Sequence, residues 1–337
     1  MPRRARLDAP GVLHHVIVRG LERRKIFRDD EDREDFLERL GTLLPETGMR
    51  CYAWALLPNH FHLLLRTGER PLSDLMRRLL TGYAVRFNLR NDRSGHLFQN
   101  RYRSILCQEE PYFLELVRYI HLNPLRAGVV ADLKALEKYP FCGHGVILGV
   151  QENDWQQVKE ILERFGSSPA KARERYRDFV AKGADQGKRP DLVGGGLVRS
   201  LGGWQAVKTL RGSGQKLRGD ERILGDADFV ERVLEAARER IERRSRLEAM
   251  GYDFERLAAR VAGLFSMPVE EVLRKGRYPR TVEARSVLCY WANRELGLST
   301  VDLGRRLDLA QPTVSQSIAR GEKIVKEKGL SIPEKVI

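Results

Sequence analysis

Long apolar runs are what this chain most plainly lacks. No stretch is apolar over the ~20 residues that a membrane-spanning helix needs, so no membrane partner is expected. The opening MPRRARLDAPG holds no apolar segment of the kind that a secretion signal carries, and a cytoplasmic, nucleoid-associated location is expected. Cysteine is scarce as well. Cys51, Cys107, Cys142 and Cys289 are far apart and three of them lie inside apolar runs, which argues against a disulfide framework or a zinc knuckle and suits a reducing compartment. Acidic residues are in deficit, 46 against 60 Lys and Arg, leaving a net charge of +14. Such a surplus calls for a polyanionic partner, and with membranes set aside that partner is nucleic acid. The glycines of 183–220 lack a following Gly-Lys-Ser/Thr, so they do not make a nucleotide-binding phosphate loop. After residue 150 strand patterns thin out, and no internal repeat is evident.

What is present suggests two folded parts in 337 residues. GVLHHVIVRG (11–20), CYAWALL (51–57), HFHLLLR (60–66) and RSILCQ (103–108) read as strands, the middle two joined at Pro58-Asn59. Residues 29–44, 71–91 and 110–123 read as helices, the last stopped before Pro124. The order β-α-β-β-α-β-α predicts an α+β domain over 1–150, an antiparallel sheet with helices on one face. Residues 151–220 read as a helical extension and a Gly- and basic-rich linker, and 221–337 as an all-α domain.

The chemistry concentrates in two places. On a strand, His60 and His62 share one face while Phe61 points the other way, so both imidazoles can reach one cation. On the helix over 110–123, Tyr119 and Asn123 are four residues apart and share a face, beside an apolar stripe of Phe113, Leu116, Val117 and Ile120. Two imidazoles and an amide oxygen suit magnesium or manganese, and the donor set leaves zinc open. Arg101, Tyr102 and Arg103 mix charge with an aromatic ring, a pairing that suits single-stranded DNA or equally a solvated strand edge. His15 reads as a packed histidine, and His121 as a helix-end cap.

PNHFHLLL (58–65), GHLFQNRYRS (95–104) and YIHLNPLRAG (119–128) together resemble the single-tyrosine HUH transposases, the REP-associated tyrosine transposases above all. HHVIVRGLERRKIFRDDED (14–32) also looks like that family's first strand and loop. The resemblance covers about 1–150. It implies an HUH fold of the ferredoxin or RRM type, with Tyr119 as nucleophile, His60 and His62 as metal ligands and Asn123 as a third ligand. It also implies a metal-dependent single-strand endonuclease and strand transferase, acting on hairpin-associated DNA through a 5′-phosphotyrosine intermediate. A non-nicking transcriptional regulator on the same fold is the alternative. Similar enzymes include dimers, so a homodimer is among the expectations.

The last hundred residues carry a second pattern. Ser299 and Asp302 fit a capping box, Pro312 sits at a helix start, and Leu307-Asp308-Leu309 separates the two helices. About 253–327 is similar to the DNA-binding domain of the initiator DnaA, which implies a helix-turn-helix that binds duplex DNA. Ala310-Gln311-Pro312 departs from the initiator's polar residues before the threonine, so its target sequence is not carried over. Gln311, Thr313, Ser315 and Gln316 are the expected base readers, with Arg277, Arg280 and Arg320 on phosphates.

Overall fold

The computed structural model describes residues 7, 11–68, 70–187, 189, 192, 220, 222–226, 228–236, 247, 249–276 and 278–332. Most of the Gly- and basic-rich segment 183–220 lies outside them, as does Arg277. The chain divides into two compact units, 1–233 and 234–337. No described helix is long and apolar enough to cross a membrane.

The first unit is built on five strands: β1 (Leu13–Arg19), β2 (Arg50–Leu57), β3 (His60–Arg66), β4 (Arg103–Cys107) and β5 (Ile223–Leu224). Their order across the sheet is β2-β3-β1-β4-β5. The first three pairings are antiparallel. β5 pairs parallel to β4, so the sheet is mixed, and a segment read from sequence as part of the C-terminal domain completes its edge.

Helix α1 (Asp30–Thr47) starts where the Asp29 side chain accepts the Asp32 N–H, and ends at Gly48, whose φ of 66° is left-handed. α1 and α2 (Leu72–Arg90) cover one face of the sheet, where Val16, Val18, Phe61, Leu63 and Leu65 meet Phe36, Leu40, Leu79 and Tyr83. The opposite face is covered by α3 (Glu109–His121) and the short α4 (Asn123–Arg126), α5 (Leu133–Lys138), α6 (His144–Leu148), α7 (Val158–Glu163) and α8 (Pro169–Ala181). There Leu13, Ala53, Leu57, Leu64 and Ile105 pack on Phe113, Leu116, Val117 and Ile120. The α+β expectation holds. Helices cover both faces where the sequence suggested one, because the strands bury side chains on both sides: β2 is buried at every position after Arg50.

Buried polar anchors hold the extension in place. Trp54 Nε1 donates to Gln156 Oε1 at 2.8 Å, and the Gln157 N–H donates to the Cys51 carbonyl at 2.8 Å. The Tyr176 hydroxyl lies 2.7 Å from His121 Nδ1 and 2.9 Å from His144 Nδ1, all three side chains fully buried. His121 therefore does not cap its helix. Burial raises the cost of charging a ring so far that a phenol bridge to α8 serves it better.

The second unit has its own apolar core. Its helices are α9 (Phe254–Leu264), α10 (Val269–Leu273), α11 (Pro279–Arg294), α12 (Thr300–Leu307) and α13 (Gln311–Lys328). The Ser299 hydroxyl accepts the Asp302 N–H at 3.1 Å, the predicted cap. Asp308 turns the chain with a left-handed φ of 49°. Gly321 is required where α13 crosses α11, since a Cβ there would lie 1.9 Å from the Ser286 carbonyl oxygen.

Candidate active site

Strand alternation turns His60, His62, His15 and Ile17 toward the α3 side of the sheet. The register sets Ile17 opposite His62 and Arg19 opposite His60. Above them, α3 brings Tyr119 over the imidazoles: its ring centroid lies 6.0 Å from His62 and 5.9 Å from His15, edge-on to both. His60 and His62 are themselves edge-on at 5.3 Å. An open cavity of about 590 Å³ is lined by all three of His60, His62 and Tyr119, together with Asn123.

Hydrogen bonds orient the donor atoms. Asn59 Nδ2 donates to the Arg23 carbonyl at 3.1 Å, which turns its Oδ1 toward His60 Nδ1 at 2.6 Å. That oxygen can only accept, so the proton sits on His60 Nδ1 and the lone pair on Nε2. His62 Nδ1 is paired with His15 Nε2 at 2.9 Å. Asn123 Nδ2 donates to the Tyr119 and Ile120 carbonyls at 2.8 and 3.3 Å, leaving its Oδ1 as the remaining polar atom.

Burial pushes His60 and His15 down to about 4, with Arg19 adding to the effect on His60 and Arg103 on His15. His62 is held well below the ordinary range, first by burial and then by His15 and His60. The imidazoles are therefore neutral near pH 7, the state in which a ring nitrogen binds a cation. Two neutral imidazoles and an amide oxygen fit a divalent ion. Among the described residues no group of three His, Cys, Asp or Glu is placed to hold one.

The cavity rim is basic. Arg19, Arg101, Arg103, Arg126 and Arg189 all line it, and among the described residues no carboxylate does, although Glu115 pairs with Arg189 at 3.2 Å from outside the lining. Arg126 stands over the Tyr119 ring, its Cζ 5.5 Å from the centroid, while Nη2 donates to the Gly183 carbonyl at 3.0 Å. Arg19, Arg126 and Arg189 escape a sequence reading because each comes from a different element. Only Arg126 had a signal, falling seven residues, two helical turns, after Tyr119.

Arg101 and Arg103 line the cavity, and Tyr102 does not. Tyr102 is 8% exposed and packs in the α1–α2 core, because alternation sends it to the opposite face from its neighbours. In the second unit Thr313, Gln316 and Arg320 are exposed on α13. Gln311 Nε2 instead donates to Thr300 Oγ1 at 2.9 Å, linking α13 to α12, and Arg280 donates to the Phe265 carbonyl at 2.6 Å.

Residues 10–123 match the family described as transposase IS200 like. This transposase-like span contains His60, His62, Tyr119 and Asn123. Among solved structures, a REP-associated tyrosine transposase bound to a REP hairpin is similar at 19% identity, over 47% of this chain and 94% of that one, with a TM-score of 0.38. A putative transposase from Deinococcus radiodurans is 17% identical over 35% of this chain and 94% of that one, with a TM-score of 0.26. The chromosomal replication initiator DnaA of Thermosipho africanus (strain TCF52B) is 33% identical over 78 residues, 23% of this chain. The chain spans 18% of the length of that relative.

Proposed function

We propose that the protein cuts and rejoins single strands of hairpin-associated DNA, with Tyr119 as nucleophile and a divalent ion, Mg²⁺ or Mn²⁺, held by His60, His62 and Asn123. The observation that carries the reading is one basic cavity lined by two neutral histidines, an orientable amide oxygen and a tyrosine within 6.0 Å of one imidazole ring. A structural role for these residues would not need five arginines gathered around one cavity.

A phosphodiester repels nucleophiles with its negative charge, and the arginine rim draws it in and holds it. A divalent ion, when bound, supplies charge neutralisation at the phosphate and supports the departing 3′ oxygen. The Tyr119 hydroxyl attacks phosphorus, its proton passing to solvent, and the P–O3′ bond breaks. The strand leaves with a 3′ hydroxyl, and the 5′ phosphate stays on Tyr119 as an ester. A 3′ hydroxyl then attacks that ester and reseals the strand without ATP, because the bond energy is kept in the phosphotyrosine. The packing of Val117 and Ile120 in the core fixes the helix that aims Tyr119. In the second unit, Thr313, Gln316 and Arg320 are proposed to contact duplex DNA.

The test is incubation of labelled hairpin DNA with the full chain and Mn²⁺, read on a denaturing gel. Wild type gives a covalent protein–DNA band, Tyr119→Phe gives none, and Tyr112→Phe keeps it. Binding without a band in wild type would point instead to a regulator that no longer nicks. A band that persists in Tyr119→Phe would overturn the nucleophile.

A further inference from the structure

We propose that a basic pocket beside the turn Leu21–Arg23 grips a backbone phosphate of the single strand next to the one that Tyr119 attacks. The inference rests on the nicking reading and adds the path of the flanking strand. The pocket, about 460 Å³, is lined by four cations, Arg24, Lys25, Arg28 and Arg93, around Phe87. The guanidinium carbons of Arg28 and Arg93 lie 5.7 and 6.0 Å from the Phe87 ring centroid. Of the nearby carboxylates, Asp29 and Asp32 are held by Arg90 at 2.8 and 2.7 Å, while Glu22 pairs with Arg24 at 2.8 Å and offsets that one pocket cation. Among the described residues no carboxylate pairs with Lys25 or Arg28. Lys25 and Arg28, beside the apolar floor of Phe87, are a receptor for a phosphate.

The pocket is joined to the active site. A cavity of about 680 Å³ shares Leu21 and Leu97 with the basic pocket, and Gln99, Asn100 and Arg101 with the cavity of His60 and Tyr119. The three cavities lie side by side along 97–101, a path for an unpaired strand.

The turn that carries the cations is held rigidly against the histidines. The Asn59 carbonyl, next to His60, accepts the Gly20 N–H at 2.9 Å, and the Leu97 carbonyl accepts the Leu21 N–H at 3.0 Å. Glu22 and Arg23 both have left-handed φ, 51° and 63°, which side chains adopt rarely and which persists only where surroundings impose it. A Cβ on Gly20 would lie 2.2 Å from the Arg24 carbonyl oxygen, so the loop closes too tightly for any other residue. A strained, pinned loop that displays cations at a fixed offset from the metal ligands suits a ruler for the flanking strand.

The test uses full-length Tyr119→Phe, which separates binding from reaction, and hairpins of one stem whose single-stranded tail grows one nucleotide at a time. Fluorescence anisotropy should show affinity rising in a step when the tail reaches the pocket. The added substitutions Lys25→Ala and Arg28→Ala should remove that step and lower the slope of log affinity against log salt by ~0.7 for each phosphate the pocket no longer holds. The tailless hairpin should bind as before. Equal weakening on the tailless hairpin would mean the cations hold the duplex stem, and an unchanged step would mean they hold no DNA; either result overturns the proposal. Absence of a covalent band in wild type would sink the nicking reading alone, since the tail-length step is read without any reaction.

Discussion

His15 Nε2 lies 2.9 Å from His62 Nδ1, a hydrogen bond between two buried rings on neighbouring strands. The pair fixes the plane of the His62 imidazole, so under the proposed function His15 would orient that ring toward a cation. His15→Ala should therefore weaken Mn²⁺ binding about 10- to 100-fold in calorimetric titration. His14→Ala is the control, because His14 bonds Ser104 Oγ at 2.9 Å and does not line the cavity. Equal effects in the two variants would mean that His15 merely supports the sheet.

Cutting and binding should come apart at His60 and His62. His60→Ala or His62→Ala should abolish the covalent band while leaving most of the DNA affinity, which the arginine rim is proposed to supply. Gel and anisotropy measurements on one preparation check both halves. Normal nicking by either variant would displace the proposed metal site.

The bridge of Tyr176 between His121 and His144 predicts a stability profile. Burial holds His144 at about 4, against an ordinary value of 6.5. The unfolded chain therefore takes up the proton first as pH falls. The contribution is intact above pH 6.5 and disappears between pH 6.5 and 4, to a total of about 3 kcal/mol for this ring. His121, also held low by burial, acts in the same direction. Tyr176→Phe leaves two buried ring nitrogens without their hydroxyl and should cost about 1–3 kcal/mol in thermal melts at pH 7.5. A profile flat across that window would contradict the assignment.

Two glycines of the second unit should respond in opposite ways to one added methyl. At Gly321 a Cβ meets the Ser286 carbonyl at 1.9 Å, so Gly321→Ala must part α11 from α13 and should cost about 2 kcal/mol or more. At Gly263, on a helix, nothing lies within 4 Å, and Gly263→Ala should stabilise by up to about 1 kcal/mol. Denaturant midpoints of the two variants decide the matter.

Much of the site was legible because it depends on short-range periodicity. His60 and His62 share a face by strand alternation, and Tyr119 and Asn123 by helical stacking, although the helix breaks at Leu122 between them. Alternation also placed Tyr102 opposite Arg101 and Arg103, an available signal that the mixed charge and aromatic pattern overrode. The apolar run CYAWALL was the trace of a strand buried on both faces. Partners distant in sequence left no such trace: the bond of His121 to Tyr176 spans 55 positions, and Arg19, Arg126 and Arg189 converge only in three dimensions.

The parallel pairing of Ile223–Leu224 with β4 has a consequence for how the molecule is made. The Leu106 N–H reaches the Arg222 carbonyl at 2.8 Å and the Gln108 N–H the Leu224 carbonyl at 2.7 Å, across more than a hundred residues of chain. Until the ribosome has released those residues, the outer rim of β4 offers bare amides and carbonyls to any neighbouring strand. A nascent chain stopped short of residue 222, or a fragment trimmed there for expression, would leave unpaired at Leu106–Gln108 the adhesive border that β5 covers in the finished protein.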